Sequence, residues 1–250
     1  MTPFATSAVV FAFLAGGTLV GMRVSAALPN HHLDTPSKEV VRLGMGVIGT
    51  MAALVLGLVI GDARSTFDAE AQALRASAAD VLMLDRMLGE YGPETQEARS
   101  LLKRAVAHRL GLVEDSSDPA LESPEVAPRV RHVEAKIRAL GPGNDEQREL
   151  RARALDLVSD LMKTRWLALE AAEDSIPTVF LVVLVFWLSA LFWSFGLYAP
   201  RNATVVAVLF LCALSVAASI FVILEMGDPF TGLVRVSGEP LRFALENLGP

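Results

Sequence analysis

The stretch from Leu43 to Asp68, LGMGVIGTMAALVLGLVIGDARSTFD, limits what this chain can fold into more than any other segment. Leu43 to Ile60 are eighteen uncharged residues. As an α-helix at about 1.5 Å per residue they just cross the roughly 30 Å hydrocarbon core of a bilayer. The run does not end in a helix stop: it passes into charged, helix-prone sequence with no proline before Pro93. The pattern predicts one long helix that leaves the membrane and becomes the first pillar of a water-exposed domain. Gly49, Ala53, Gly57 and Gly61 recur at every fourth position. One helix face is therefore small and lets another helix come close.

Composition supports an integral membrane protein. The 250 residues are 52% hydrophobic, and mean hydropathy is +0.44. Residues 62–176 hold 16 basic and 22 acidic side chains, and the rest of the chain holds 6 of each. The exposed domain is thus acidic, which argues against a nucleic-acid partner, because phosphate binding needs a basic footprint. The single cysteine, Cys212, lies in an apolar run and excludes an intramolecular disulfide.

Residues 3–22 form the first spanning candidate. No positive n-region precedes it, so it reads as a retained helix rather than a signal peptide. Gly17 and Gly21 give it a packing face. The connection at 23–40 is broken by Pro29 and Pro36. Its adjacent His31 and His32 read as solvated loop residues rather than metal ligands, since neighbours in an extended loop point opposite ways. Asp34 starts the helix leading into the second span, at about 41–61. Gly44 to Gly49 match a dinucleotide-binding spacing on paper. No strand precedes them and they lie at membrane depth, so no cofactor is expected.

Beyond Gly61, apolar residues continue at Phe67, Ala71, Leu74, Ala78, Val81 and Leu88, the spacing of a buried helical seam. Asp80, Asp85, Arg86 and Glu90 on the same helix read as a solvated or interface salt-bridge face. Gly92-Pro93 ends the helix, and Glu94 to Leu112 form the next. Val113 to Pro128, acidic and rich in proline, read as a surface loop. A short helix follows at Arg129–Leu140, then one capped by Asn144 and running to Asp174. Third and fourth spans are placed at about 176–198 and 203–225, joined by a tight turn at Ala199–Asn202. Pro177 either kinks the junction or opens a fresh helix. The tail, 226–250, ends in an amphipathic helix at Glu239–Asn247.

The expected fold is therefore all-α: four membrane helices and a helical soluble domain, residues 62–175, formed by extensions of the second and third spans. Both termini and this domain fall on one side of the membrane. Asp62, Glu225 and Asp228 end spans on that side; they are candidates for an ion vestibule or divalent site, against ordinary interfacial solvation. The membrane interior carries no ionisable residue, which argues against a coupled transporter. No nucleophile–base pair, helical metal motif or phosphate loop supports an enzyme.

Three runs, MGVIGTMAALVLGLVIGDARSTFD, VLMLDRMLGEYGPETQEARSLL and DPFTGLVRVSGEPLRFALENLG, resemble a bacterial membrane family described as bestrophin-like. The resemblance covers nearly the whole chain in order. It implies an architecture like that of bestrophin chloride channels, which are pentamers with a cytosolic domain. The expected partners are then the lipid bilayer of a bacterial inner membrane, further copies of the chain and inorganic ions. A pore along the oligomer axis would be lined by Thr50, Met51, Leu54 and Leu58, read as the face opposite the small stripe. The alternative is a non-conducting scaffold or sensor whose acidic domain recruits a partner.

Overall fold

The helix Thr35–Tyr91 is the longest element of the computed structural model and runs unbroken past the end of the apolar stretch. The structure describes residues 2–29, 35–114, 126–173, 178–200, 202–227, 229–230 and 232–249, without the side chains of 35–37, 126–127, 165–173 and 178. His31, His32, Pro177, Asp228 and most of the 113–128 segment lie outside the described residues.

Every regular element among the described residues is helical. They are α1 (Pro3–Ala27), α2 (Thr35–Tyr91), α3 (Gln96–Glu114), α4 (Val126–Arg138), α5 (Asp145–Glu173), α6 (Thr178–Tyr198), α7 (Ala203–Met226) and α8 (Glu239–Asn247), with a 3-10 turn at Pro93–Thr95. Four of them, α1, α2, α6 and α7, are long and apolar enough to cross a membrane. The second span does continue into water-soluble sequence. The junction between α5 and the third span, residues 174–177, lies outside the described residues.

The chain divides into two units, Met1–Ser65 with Ile176–Gly227, and Thr66–Ser175 with Asp228–Pro250. In the first, α1 packs along α6 and α7. Its core includes Leu14, Ala52, Leu184, Leu188, Ala213 and Ile220. The closest crossing is made by two glycines. A β-carbon on Gly21 would lie 2.3 Å from the Trp193 carbonyl oxygen, and one on Gly196 would lie 2.1 Å from the Thr18 carbonyl oxygen. Gly17 is less constrained: its β-carbon would lie 3.7 Å from the Ser189 carbonyl oxygen, an ordinary contact. Hydroxyls in this unit bond to their own helices, Thr18 to the Leu14 carbonyl at 3.0 Å and Ser189 to the Val185 carbonyl at 2.7 Å. Polar groups with no water to turn to are satisfied locally.

In the second unit, α2 and α3 form a hairpin. Its turn depends on Gly92, whose φ of 134° belongs to a region almost exclusive to glycine. The Thr95 hydroxyl locks it by contacts of 2.6 Å to the Leu88 carbonyl and 2.8 Å to the Gly92 carbonyl. Gly92→Ala is expected to destabilise this unit by about 1–3 kcal/mol, read as a lower denaturation midpoint. Around the hairpin, Leu74, Leu84 and Leu88 of α2, Leu102 and Val106 of α3, Val133 and Ile137 of α4, Val158 of α5 and Leu241 and Ala244 of α8 make one core. Asn144 caps α5 by accepting from the Gln147 amide at 2.7 Å, and the Gln147 side chain donates to the Tyr91 carbonyl at 2.9 Å. A side-chain cap therefore also ties the start of α5 to the end of α2.

Candidate functional site

The membrane half of α2 meets its own chain along a narrow seam. Ala52, Val59 and Ala63 are buried there, with Met45, Ile48, Val55 and Leu56 partly covered beside them. The rest of the helix is bare. Leu54 and Leu58 are each 67% exposed, and Thr50 and Met51 are exposed too, with the Thr50 hydroxyl donating to its own helix at the Val47 carbonyl. Of the small residues, Gly49 comes within 3.9 Å of Leu191 when a β-carbon is added. Gly57 and Gly61 have no described neighbour within 4 Å of an added β-carbon, and Ala53 is exposed.

The seam to the chain's own core lies about 120° around the helix from the small stripe, at 100° per residue. The Met51/Leu54/Leu58 ladder lies only about 110° around the helix from the stripe, at 100° per residue. Small stripe and bulky ladder thus form two adjacent arcs of one uncovered surface, a correction to the opposite placement expected from spacing.

The three interfacial carboxylates fare differently. Asp62 is exposed, Glu225 is buried at 5% exposure, and Asp228 lies outside the described residues. Glu225 thus presents no free carboxylate to solvent within a single chain. Among the described residues, no three His, Cys, Asp or Glu side chains come together as a metal site would require.

The soluble unit holds a charged arrangement that spacing along one helix does not reveal. Asp85, 7% exposed, is not on a solvated face. Its carboxylate accepts two bonds from Arg99, at 2.8 and 2.9 Å, and a third from the Gly249 amide at 3.0 Å. Lys103 reaches the Leu248 and Gly249 carbonyls at 3.5 and 3.4 Å. One carboxylate thereby fastens the end of the chain to the α2–α3 hairpin. Burial pushes the Asp85 carboxyl up, but the hydrogen bonds from Arg99 and Gly249 and the charges of Arg99 and Lys103 outweigh it and leave it below its usual value. Asp85 and Arg99 are equally far from Gly92, as partners across an antiparallel hairpin must be. That symmetry permits the pairing but does not single it out from the other residues equally spaced about Gly92. Asp80 behaves oppositely: burial, and then the like charge of Asp160 on α5, push its carboxyl up.

Comparison with known proteins follows this geometry. No curated protein matches the sequence. Two crystal structures of point variants of a bacterial Bestrophin homolog from Klebsiella pneumoniae share the fold. One has a TM-score of 0.69 at 16% identity, covering 97% of both chains, and the other 0.65 at 17% identity, covering 96% of both. At such identity the likeness speaks for the fold alone. The Bestrophin-like domain model matches residues 12–241. It therefore takes in most of the first span, the other three spans, the α2–α3 hairpin and much of the tail, and the chain belongs to the bestrophin-like family.

Proposed function

We propose that this chain is a bestrophin-like ion channel subunit, not an enzyme, which assembles as a homo-oligomer around a pore lined by α2. The reading is carried by the two-arc surface of its membrane half. Small residues such as Ala53 and Gly57 give little contact to lipid tails but let a neighbouring helix approach. Beside them, Leu54 and Leu58 project from a surface that the described residues of the same chain leave largely uncovered. With a second copy against the small arc, the bulky arc turns toward the assembly axis and forms an apolar constriction at Met51, Leu54 and Leu58, with Thr50 alongside. Asp62, exposed at the end of the apolar run of α2, then stands at the pore exit. Five copies is the stoichiometry that the family resemblance supports, in a bacterial inner membrane with the soluble unit in the cytoplasm.

Purified protein reconstituted in liposomes is expected to pass chloride or potassium. Leu54→Ala combined with Leu58→Ala should raise the flux several-fold by widening the constriction. If neither ion passes, with and without divalent cations, the channel reading fails and the scaffold or sensor reading replaces it.

A further inference from the structure

The soluble unit carries two surfaces of opposite chemistry on α2. One is a groove of about 620 Å³ between α2 and the tail, walled by Phe67, Leu82, Val236 and Phe243. Two guanidiniums, Arg75 and Arg235, line it with one carboxylate, Glu239. Phe243 is left 62% exposed, a large apolar side chain open to water on an otherwise charged unit. The second surface lies on another side of the same helix. Asp80 follows Arg75 by five residues, which places it about 140° around α2. It faces Asp160 of α5, and Asp156, one turn earlier, is also exposed. Exposed Met83, three residues after Asp80, adds a flexible apolar side chain to this surface. Among the described residues, none of Arg75, Arg235, Asp80, Asp156 or Asp160 forms an ion pair within the chain.

We propose that these are two halves of one subunit contact, in which the Arg75/Arg235 groove of one copy receives the Asp80/Asp160 edge of the next. Charge complementarity selects a second copy of this chain as the occupant. The groove has excess positive charge and open aromatic surface; the edge has uncompensated negative charge and an exposed methionine. Because the halves are different patches of one chain, the contact is heterologous. It repeats from copy to copy and closes into a ring when the rotation allows. Docking also relieves the repulsion between Asp80 and Asp160 by bringing cations to them. The inference rests on the homo-oligomeric channel reading and specifies which residues hold the soluble units together.

The test uses the full-length protein in detergent, with native mass measurement of subunit number. Arg75→Glu with Arg235→Glu is expected to raise the concentration at which the oligomer dissociates by at least tenfold. Adding Asp80→Lys and Asp160→Lys should bring it back, which a merely misfolded variant would not do. In a Cys212→Ser background, Ser237→Cys and Asp160→Cys in the same chain should oxidise to a ladder of covalent multimers. Mixed single-cysteine chains should stop at dimers. A monomeric wild type sinks the channel reading and this inference together. An oligomer unchanged by Arg75→Glu/Arg235→Glu, with no ladder, sinks the inference and leaves the channel reading standing. An anionic amphiphile that co-purifies with wild type and is lost from the double variant, with subunit number intact, makes the groove a ligand site and overturns the inference.

Discussion

Gly196→Ala is expected to lower the stability of the protein in detergent by about 2–3 kcal/mol, the upper part of the range for overpacking a close contact. The added methyl has no room. Its position falls 2.1 Å from the Thr18 carbonyl oxygen and 2.9 Å from the Thr18 carbonyl carbon, both backbone atoms that no rotamer change can move aside. Helices α1 and α6 must separate to admit it, and the core at Leu14, Leu184 and Leu188 loses contact as they do. Gly21→Ala should act alike, since its β-carbon meets the Trp193 carbonyl oxygen at 2.3 Å. Gly16→Ala is the control: among the described residues nothing lies within 4 Å of its added carbon. The measurement is thermal unfolding of the purified variants side by side. Equal midpoints for Gly196→Ala and Gly16→Ala would show that the crossing is not tight.

Asp85→Ala is expected to cost about 3–5 kcal/mol, the usual consequence of removing one partner of a buried ion pair. Arg99 is left with little solvent and no counter-charge, and the Gly249 amide loses its acceptor. The tail end should then exchange its amide hydrogens faster. Arg99→Ala should be comparably harmful, and a double variant with Asp85→Leu and Arg99→Met less so than either single change. Acid provides an independent check. The Asp85 carboxyl titrates lower in the folded chain than its unfolded value of about 3.9. Its contribution is therefore complete above that value and is lost as pH falls through it toward the folded one. Asp85→Asn should lack this component of acid unfolding. A wild type and Asp85→Asn variant with the same acid midpoint shift would mean that the pair does not govern acid stability.

The large outline of this protein was legible in its sequence for definite reasons. An uncharged run from Leu43 to Ile60 has few options other than a bilayer, and the missing helix stop before Pro93 leaves α2 little choice but to continue. The Asn144 cap and the α8 limits at Glu239 and Asn247 follow from local chemistry within a few residues, which spacing captures well. Gly21 was recognisable as a packing glycine because small residues one turn apart in an apolar helix have few other uses.

What pairs with what was a different matter. The glycines Gly49, Gly57 and Gly61 follow the same pattern as Gly21, yet among the described residues no neighbouring backbone of the same chain comes within 4 Å of their added β-carbons. The crossing depends instead on Gly196, an isolated glycine among aromatics whose role requires α1 to lie across it. Asp85 sits among Asp80, Arg86 and Glu90, and helical spacing treats the four alike. Only the α2–α3 hairpin and the returning tail select Asp85 for burial beside Arg99 and Gly249. Likewise Leu54 and Leu58 are as hydrophobic as any buried leucine, and the packing of α2 alone leaves them bare. Sequence by itself determined which segments are helices and which of them enter the membrane, because those choices depend on transfer energies and backbone hydrogen bonds that neighbouring residues decide. Tertiary structure alone decided which glycine sits at a tight crossing, which carboxylate is buried and which face of α2 its own chain leaves uncovered, because those depend on atoms far away in the chain being brought together in space.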